Sequence, residues 1–227
     1  MSVAVVTGAS RGIGRAAALA LAARGLDVAL LARTADDLAH VAQAVSQCGV
    51  TALPLRCDVT AAADVNDAAA RVLDALGAPE VVVNNAGIIR RAPVHEMSLA
   101  DFRLVLDTNL TGTFLVTRAF LPAMLERHRG RFVQVASISA TLGSPRASAY
   151  CAAKWGVVGF TKSLAEELRG TGLAAMSILP GSVDTSMLEG SGFSPLMTAD
   201  DVAKTIVYAA LDAPSAMNGS SLEMFGP

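Results

Sequence analysis

The sequence of 227 residues predicts a doubly wound α/β domain, in which a mostly parallel seven-stranded sheet is covered by helices on both faces. Short continuous apolar runs alternate with longer helical stretches, and such runs are typical of strands buried on both faces. Apolar residues make up 52% of the chain and charged residues only 17%, which argues against disorder. No internal repeat, linker or low-complexity segment divides the chain, so we expect a single domain over residues 1–227.

The chain begins with two strand–helix pairs. The run SVAVVTG predicts the first strand, and GIGRAAALALAARG predicts a helix closed by Gly25. DVALLA predicts the second strand. We expect Thr34 to cap a helix that continues to about Gln47, with Asp37 as its partner three residues later.

The middle of the chain continues the alternation. VTALPLRC predicts the third strand, although Pro54 weakens it, and Thr60 is expected to cap a helix that ends at Gly77. EVVVNNAG predicts the fourth strand. A long helical region follows from Ser98 to about Arg129.

Three further strands complete the predicted sheet. RFVQVAS is the fifth, and LAAMSILPG the sixth, with the helix SAYCAAKWGVVGFTKSLAEELRG between them. The helix ADDVAKTIVYAAL and a last strand, SSLEMF, end the pattern.

Charge and composition bear on several classes of protein. The net charge of −2 gives no electrostatic case for binding nucleic acid or an anionic membrane. No uninterrupted apolar run of about 18 residues is present, and the amino terminus has no basic segment typical of secretion signals. The three cysteines and three histidines are scattered without metal-ligand spacing, so we expect no metal and a reducing cytoplasm.

A glycine-rich turn joins the first strand to the first helix. The sequence TGASRGIG has glycines at positions 8, 12 and 14. Such a turn lets main-chain N–H groups approach a pyrophosphate at the positive end of the helix. Any tight turn favours glycine, but this position between strand and helix indicates nucleotide binding.

Tyr150 and Lys154 lie four residues apart in the run SAYCAAKWG. On a helix this spacing places them on one face, one turn apart, among small side chains. An ammonium about 4 Å from the phenol would lower the tyrosine pKa by roughly three units, to about 7. That value suits general acid–base chemistry. The alternative is a surface pair without a role.

Several motifs in this order resemble the short-chain dehydrogenase/reductase family. They are TGxxxGxG, NNAG at residues 84–87, Asn109 in DTNLTG, Ser137 thirteen residues before Tyr150, YxxxK, and PGxxxT at residues 180–185. The resemblance covers nearly the whole chain and is closest to the 3-oxoacyl-[acyl-carrier-protein] reductase branch. It implies a Rossmann-like fold and an oxidoreductase that transfers hydride between a nicotinamide cofactor and a carbonyl or alcohol carbon.

The resemblance also implies roles for the site residues. Tyr150 is the proton donor, Lys154 supports it and contacts the nicotinamide ribose, and Ser137 binds the substrate oxygen, with Ser139 as a nearby competitor. Asn109 marks a helix distortion where a backbone carbonyl holds a proton-relaying water. The residues expected to bind the cofactor are Gly8, Ser10, Arg11, Gly12, Ile13, Gly14, Arg33, Asp58, Val59, Asn85, Ala86, Gly87, Tyr150, Lys154, Pro180, Gly181, Val183 and Thr185.

The end of the second strand bears on cofactor choice. NAD-preferring enzymes usually carry an acidic residue there, whereas this chain has Ala32 followed by Arg33. With Arg11 in the glycine turn, two guanidinium groups suit a 2′-phosphate, so we expect a preference for NADP(H) over NAD(H). The alternative is that Arg33 is only a solvated residue at a strand end.

Substrate and partners are less well defined by the sequence. The segment SMLEGSGFSPLMTADD after the PGxxxT motif is short and predicts a mobile lid or an open rim. This segment and residues near it could supply the apolar walls of a substrate pocket. Basic clusters could dock an acyl carrier protein or coenzyme A, or could simply be ordinary helix ends. The residues concerned are Leu142, Met187, Leu188 and Phe193 for the walls, and Arg90, Arg91, Arg127, His128, Arg129, Arg131 and Arg169 for the clusters.

Our first interpretation is therefore an NADPH-dependent reductase of 3-oxoacyl thioesters or similar ketones, acting in fatty acid biosynthesis. The alternatives are a secondary-alcohol, steroid or sugar dehydrogenase, and a catalytically silent nucleotide sensor. By analogy with the family we expect a homotetramer or a homodimer. The helix that carries Trp155 and Phe160 would then pair across subunits.

Overall fold

The computed structural model describes residues 2–227, which form one seven-stranded sheet with the strand order β3-β2-β1-β4-β5-β6-β7. All neighbouring strands are parallel, so the predicted doubly wound α/β class is confirmed. The order reverses between β1 and β4, and ligands of such sheets bind at this reversal. The strands are β1 (Val3–Thr7), β2 (Asp27–Ala32), β3 (Ala52–Arg56), β4 (Val81–Asn84), β5 (Gly130–Val135), β6 (Leu173–Pro180) and β7 (Ser221–Met224).

Helices cover both faces of the sheet. The side chains of β1 alternate between two core clusters, with Ala4 and Val6 on one face and Val5 on the other. The first face is covered by α1, α2 and α7, and the second by α3, α5 and α6. The helices are α1 (Gly12–Ala22), α2 (Ala35–Ser46), α3 (Ala62–Ala75), α4 (Leu99–Leu106), α5 (Gly112–Arg127), α6 (Ser148–Glu167) and α7 (Ala199–Val207).

Pro54 weakens no strand pairing, because β3 lies at the edge of the sheet. It takes its place in the register opposite Leu30 of β2. Proline is tolerated at an edge, where one side of a strand has no partner. The strands β1, β2, β4 and β6 are buried at every residue, as their continuous apolar runs predict.

The predicted helix starts are confirmed in part. The long helical region begins as expected at Ser98, which caps α4 by accepting a hydrogen bond from the Asp101 N–H. Thr34 holds the N-cap position of α2, but its hydroxyl donates to the Asp37 carboxylate instead of capping the backbone. The prediction for Thr60 is wrong: Ala61 is the N-cap of α3, because both the N–H and the hydroxyl of Thr60 donate to Asp58.

The long helical region after Ser98 is interrupted by a π-turn at Asp107–Thr111, which separates α4 from α5. Asn109 lies within this turn and is buried. A π-turn contains one residue more than an α-turn, and such turns are frequent at functional sites. The predicted helix distortion at Asn109 is therefore present in the structure.

Two further observations concern residues 2–227. None of the helices is both long and apolar enough to cross a membrane. Within the same range, no three His, Cys, Asp or Glu side chains are grouped closely enough to hold a metal ion.

Candidate active site

Two adjoining cavities open beyond the carboxyl ends of the strands, at the reversal between β1 and β4. Their volumes are about 540 and about 530 Å³. The first, here called the nucleotide cavity, is lined by the glycine turn and the ends of β2 and β3. The second, the substrate cavity, is lined by the ends of β5 and β6 and the start of α6. Shared lining residues, among them Gly87 and Thr185, make them one continuous cleft.

Two glycines of the glycine turn, Gly8 and Gly14, have no room for a side chain. Gly8 has φ +62°, and a Cβ there would lie 2.9 Å from the Ala86 Cα. A Cβ on Gly14 would lie 2.2 Å from the carbonyl oxygen of Gly8, so this glycine lets α1 pack against the turn. No described side chain caps α1, and its first turn has no acidic residue. Its N–H groups are thus arranged to suit a pyrophosphate.

Thr7 joins the glycine turn to the NNAG segment, a role that the sequence analysis missed. Its hydroxyl oxygen accepts hydrogen bonds from the N–H groups of Asn85 (2.9 Å) and Ala86 (3.0 Å). The Asn85 amide donates back to the Thr7 carbonyl at 2.9 Å. The threonine of TGxxxGxG was the available signal, because a buried hydroxyl at a strand end needs partners.

Charged side chains gather at the far end of the nucleotide cavity. Arg11 and Arg33 both line it, as does Asp58, which accepts hydrogen bonds from Thr60. Partial burial would raise the pKa of Asp58, but the Thr60 bonds together with the charges of Arg33 and Arg56 lower it. Asp37, which the sequence analysis did not count here, also lines the cavity.

The candidate catalytic residues meet in the substrate cavity. Tyr150 and Lys154 lie one turn apart on α6 and are both buried. The Lys154 Nζ donates to the Val135 carbonyl at 2.7 Å and lies 5.5 Å from the centre of the Tyr150 ring. Ser137, just after β5, donates to the Pro180 carbonyl at 3.4 Å and accepts the Ser139 N–H at 3.1 Å. Ser139 lines the same cavity, but Ser137 is the serine whose hydroxyl acts on the pKa of Tyr150.

Asn109 lies behind the cavity rather than on its surface. Its Nδ2 donates to the carbonyls of Ile88 (2.9 Å) and Val105 (2.8 Å). Its Oδ1 has no partner among the described residues and would lie 2.6 Å from a Cβ on Gly87, beside the Lys154 Nζ. The Asn109 carbonyl accepts the hydroxyl of Thr113 at 2.8 Å, so one of its two lone pairs is already used.

Comparisons with known proteins agree with this geometry. The family model for short chain dehydrogenases matches residues 2–192. A 3-oxoacyl-[acyl-carrier-protein] reductase from Synechocystis sp. is 39% identical, covering 94% of this chain and 91% of its own length. A D-threitol dehydrogenase from Mycolicibacterium smegmatis is 36% identical, covering 99% and 91%.

The chain belongs to the short-chain dehydrogenase family.

Among solved structures, that of an actinorhodin polyketide ketoreductase variant with NADPH aligns with a TM-score of 0.94. It is 33% identical, and the alignment covers 99% of this short-chain dehydrogenase and 96% of that chain. The family therefore assigns an oxidoreductase that uses a nicotinamide cofactor and acts on alcohol or carbonyl groups. The tight glycine turn and the uncapped α1 fit the pyrophosphate of such a cofactor.

The structure places nearly all predicted site residues of this short-chain dehydrogenase on the cleft surface. Gly14 and Asn109 are the exceptions, and both act from behind it. The nucleotide cavity is lined by Gly8, Ser10, Arg11, Gly12, Ile13, Arg33, Asp58, Val59, Asn85, Ala86, Gly87 and Thr185. The substrate cavity is lined by Asn85, Gly87, Ser137, Tyr150, Lys154, Pro180, Gly181, Val183 and Thr185.

The expected fall in the Tyr150 pKa is wrong for this structure. Burial raises the pKa of Tyr150 to about 12, although the neighbouring Ser137 hydroxyl and the charge of Arg91 oppose the rise. Burial also lowers the pKa of Lys154 to about 8. The reason is geometric: the Lys154 ammonium is bonded to the Val135 carbonyl and faces the tyrosine ring instead of the phenolic oxygen.

The segment after β6 covers the phenol of Tyr150. Its short 3₁₀ turn, Ser186–Leu188, places the sulfur of Met187 3.9 Å from the Tyr150 hydroxyl. Arg91 holds this turn by donating to the carbonyls of Met187 (3.0 Å) and Glu189 (3.2 Å). The sequence predicted a lid here, and Met187 and Leu188 as walls, but not the clasp by Arg91.

Most of the predicted basic clusters have partners within the protein. Arg90 forms an ion pair with Asp101. Arg129 pairs with the buried carboxylate of Glu80 at 2.6 Å, and Arg169 pairs with Glu166 at 2.7 Å. Arg127 donates to the carbonyl of Ala78. These contacts favour the interpretation of the clusters as structural residues at helix ends.

Proposed function

We propose that this protein is an NADPH-dependent reductase of ketones, with a 3-oxoacyl thioester as its substrate. The observation that carries the proposal is the meeting of Ser137, Tyr150 and Lys154 on the wall of one cavity, continuous with the glycine-lined nucleotide cavity. The Synechocystis relative, a 3-oxoacyl-[acyl-carrier-protein] reductase, supports this substrate class.

The side chains suit proton donation in the reducing direction. When bound, the nicotinamide supplies the hydride. With its pKa near 12, Tyr150 carries its proton at neutral pH and can donate it to the oxygen of a reduced carbonyl. The Ser137 hydroxyl can donate a hydrogen bond to the same oxygen. With a pKa of about 8, Lys154 is mostly charged at pH 7 and favours any negative charge that develops at the phenol.

Arg11 and Arg33 support the choice of NADPH. Both line the nucleotide cavity, and guanidinium groups bind a phosphate through paired hydrogen bonds. Asp37 lies at the same end, but its carboxylate accepts the hydroxyl of Thr34, which occupies one of its oxygens. Neither arginine forms an ion pair with a described carboxylate, so both guanidinium groups are available to a 2′-phosphate.

The D-threitol dehydrogenase relative favours a second candidate, the oxidation of a secondary alcohol or sugar alcohol. Such a reaction needs a base, so Tyr150 would have to lose its proton before hydride transfer. Oxidation would then increase steeply with pH, whereas reduction would not. The two candidates therefore differ in their pH profiles as well as in their substrates.

The test is the loss of NADPH absorbance with acetoacetyl-coenzyme A. The controls are NADH in place of NADPH, and the Tyr150→Phe variant, which retains the ring but not the proton. We expect turnover with NADPH, weak turnover with NADH, and a fall of roughly 100-fold or more in the variant. Turnover only of polyols with NAD⁺ would support the second candidate. Binding of cofactor without turnover of any ketone or alcohol would indicate a sensor.

We also propose a homotetramer built on α5 and α6. Trp155 and Phe114 are 55% and 43% exposed, and the ring of Phe114 meets that of Phe160 edge-on at 6.3 Å. Exposed aromatic residues on neighbouring helices are typical of an interface. Light scattering should give the mass of four chains, and Trp155→Glu should reduce it. A monomer mass for the unaltered protein would contradict the proposal.

A further inference from the structure

The rim of the substrate cavity carries two arginines from different parts of the chain. Arg91 follows the NNAG segment, and Arg146 precedes α6. The backbone N–H of Ala92 donates to the carbonyl of Arg146 at 3.0 Å, so the two segments are joined directly beside the arginines. The chain therefore brings two guanidinium-bearing residues to one edge of the cavity.

No acidic side chain offsets these charges in the cavity lining. Among residues 2–227, those that line the substrate cavity include Arg91, Arg146 and Lys154 but no Asp or Glu. Neither Arg91 nor Arg146 forms an ion pair with a described carboxylate. The cavity is otherwise apolar or neutral, with Leu142 and Phe193 on its walls. A neutral ketone would not need this excess of positive charge.

Arg146 also has an unusual backbone. Its φ is +62°, and the only other non-glycine residue with a positive φ in residues 2–227 is His128, at the end of α5. Arginine is strained in this left-handed region, where glycine is not. Strained residues persist where the surroundings hold them, and they are frequent in ligand sites. The side chain of Arg146 is exposed and makes no hydrogen bond to a described residue.

Arg91 keeps donors available although it holds the lid. One N–H from each terminal nitrogen is used, toward Met187 and Glu189. A guanidinium has five N–H donors, so three remain. Arg91 also brings positive charge near the phenol of Tyr150, and this charge opposes the rise in the Tyr150 pKa.

We propose that Arg91 and Arg146 form a subsite for an anionic group on the ketone substrate, with Arg146 as the direct contact. This inference rests on the proposed reductase function and adds a substrate class to it. The group that binds there is an oxyanion some distance from the ketone carbonyl of the substrate. It is either a phosphate of a carrier such as coenzyme A or the carboxylate of a keto acid.

The test compares matched anionic and neutral ketones. One pair is acetoacetyl-coenzyme A and acetoacetyl-N-acetylcysteamine, a neutral thioester. The other is 5-oxohexanoate and its methyl ester. The variants are Arg146→Gln, Arg146→Lys, which keeps the charge, and Arg103→Gln, which removes an exposed arginine of α4 that lines neither cavity. Arg91 is left intact because it also holds the lid.

In Arg146→Gln we expect kcat/KM to fall about tenfold or more for the anionic member of a pair and to stay unchanged for the neutral member. Arg146→Lys should retain most of the activity, and Arg103→Gln all of it. The preference for the anionic member should weaken with added salt in the unaltered protein but not in Arg146→Gln. A fall with acetoacetyl-coenzyme A alone identifies a phosphate, and a fall with 5-oxohexanoate alone identifies a carboxylate.

Equal effects on both members of each pair, or no effect on either, would overturn the subsite. Failure of the reductase proposal is distinguishable, because then no ketone is turned over by the unaltered protein. In that case calorimetric titration with coenzyme A and with 5-oxohexanoate tests the subsite directly. Weaker binding of one of them by Arg146→Gln supports it, and identical binding of both by the two proteins refutes it.

Discussion

The sulfur of Met187 lies 3.9 Å from the phenolic oxygen of Tyr150, where the hydroxyl can donate to it. In the proposed reaction, a substrate oxygen that receives the proton of Tyr150 would take the place of this sulfur. The proposal therefore requires Met187 to move before each turnover. Because Arg91 is bonded to the carbonyls of Met187 and Glu189, the side chain can swing while the backbone of the turn stays in place.

Met187→Ala is expected to favour bulky ketones, because it enlarges the space above Tyr150. We expect kcat/KM for a long-chain 3-oxoacyl thioester to rise several-fold relative to acetoacetyl-coenzyme A, in line with about 1 kcal/mol or more per buried methylene. Steady-state kinetics with both thioesters measures the ratio. Leu196→Ala, an exposed residue lining neither cavity, is the control. An unchanged ratio in Met187→Ala would show that this side chain does not limit substrate size.

Arg33→Ser should weaken NADPH binding but not NADH binding. The variant removes one of the two cations near the adenosine end, so the loss applies only to a cofactor with a 2′-phosphate. We expect KM for NADPH to rise about tenfold to a hundredfold. Arg56→Ser is the matched control, because Arg56 is exposed near the same strand ends but lines neither cavity. Equal losses for NADPH and NADH would contradict the role given to Arg33.

Lys154→Met should stabilise the fold at neutral pH while removing activity. Burial lowers the pKa of Lys154 from 10.5 to about 8, so the folded protein holds this proton less tightly than the unfolded chain. The lysine therefore lowers the free energy of unfolding below pH 8, and this loss disappears as pH rises toward 10.5. The shift corresponds to about 3 kcal/mol at most, and the lost Val135 hydrogen bond reduces the gain to roughly 1–2 kcal/mol.

Thermal unfolding at pH 7 and pH 10 measures this effect. The Tm of Lys154→Met should exceed that of the unaltered protein by several degrees at pH 7, and the difference should shrink at pH 10. Lys162→Met changes an exposed lysine of the same helix and should alter the Tm little at either pH. A lower Tm for Lys154→Met at pH 7 would refute the argument.

Gly14→Ala should disrupt both the fold and cofactor binding. The added methyl group would lie 2.2 Å from the Gly8 carbonyl oxygen and 2.5 Å from the Asn85 Nδ2, so α1 must move away from the turn. Overpacking of this kind costs roughly 1–3 kcal/mol. We expect a Tm lower by several degrees and at least tenfold weaker NADPH binding, followed by fluorescence. Tm and affinity equal to those of the unaltered protein would show that the turn adapts.

Much of the fold could be predicted from local patterns. The strands were identifiable because parallel strands buried on both faces need continuous apolar runs, as in β1 and β6. The N-cap of α3 could not be identified in this way, because the Thr60 hydroxyl binds the Asp58 carboxylate instead of the helix backbone. Propensity identifies a residue able to cap, but the choice between partners is made by the folded chain.

The candidate site could likewise be predicted only in part. The motifs located Ser137, Tyr150 and Lys154 because each is placed by a regular element: Tyr150 and Lys154 lie one turn apart on α6, and Ser137 follows β5. They did not reveal the clasp between Arg91 and the Met187 carbonyl, which joins segments about a hundred residues apart. They also misjudged the Tyr150 pKa, because burial and the direction of the Lys154 Nζ depend on packing from several elements.

The π-turn at Asp107–Thr111 makes this part of the chain sensitive to length as well as to identity. The turn takes up one extra residue between α4, which packs on α6, and α5, which packs on the sheet. Deleting one residue between 107 and 111 would let α4 and α5 continue as one regular α-helix, so the buried faces of both would keep their partners. The distortion that places Asn109 would be lost. A deletion in the segment after β6 would act differently, by shifting Met187 relative to Tyr150.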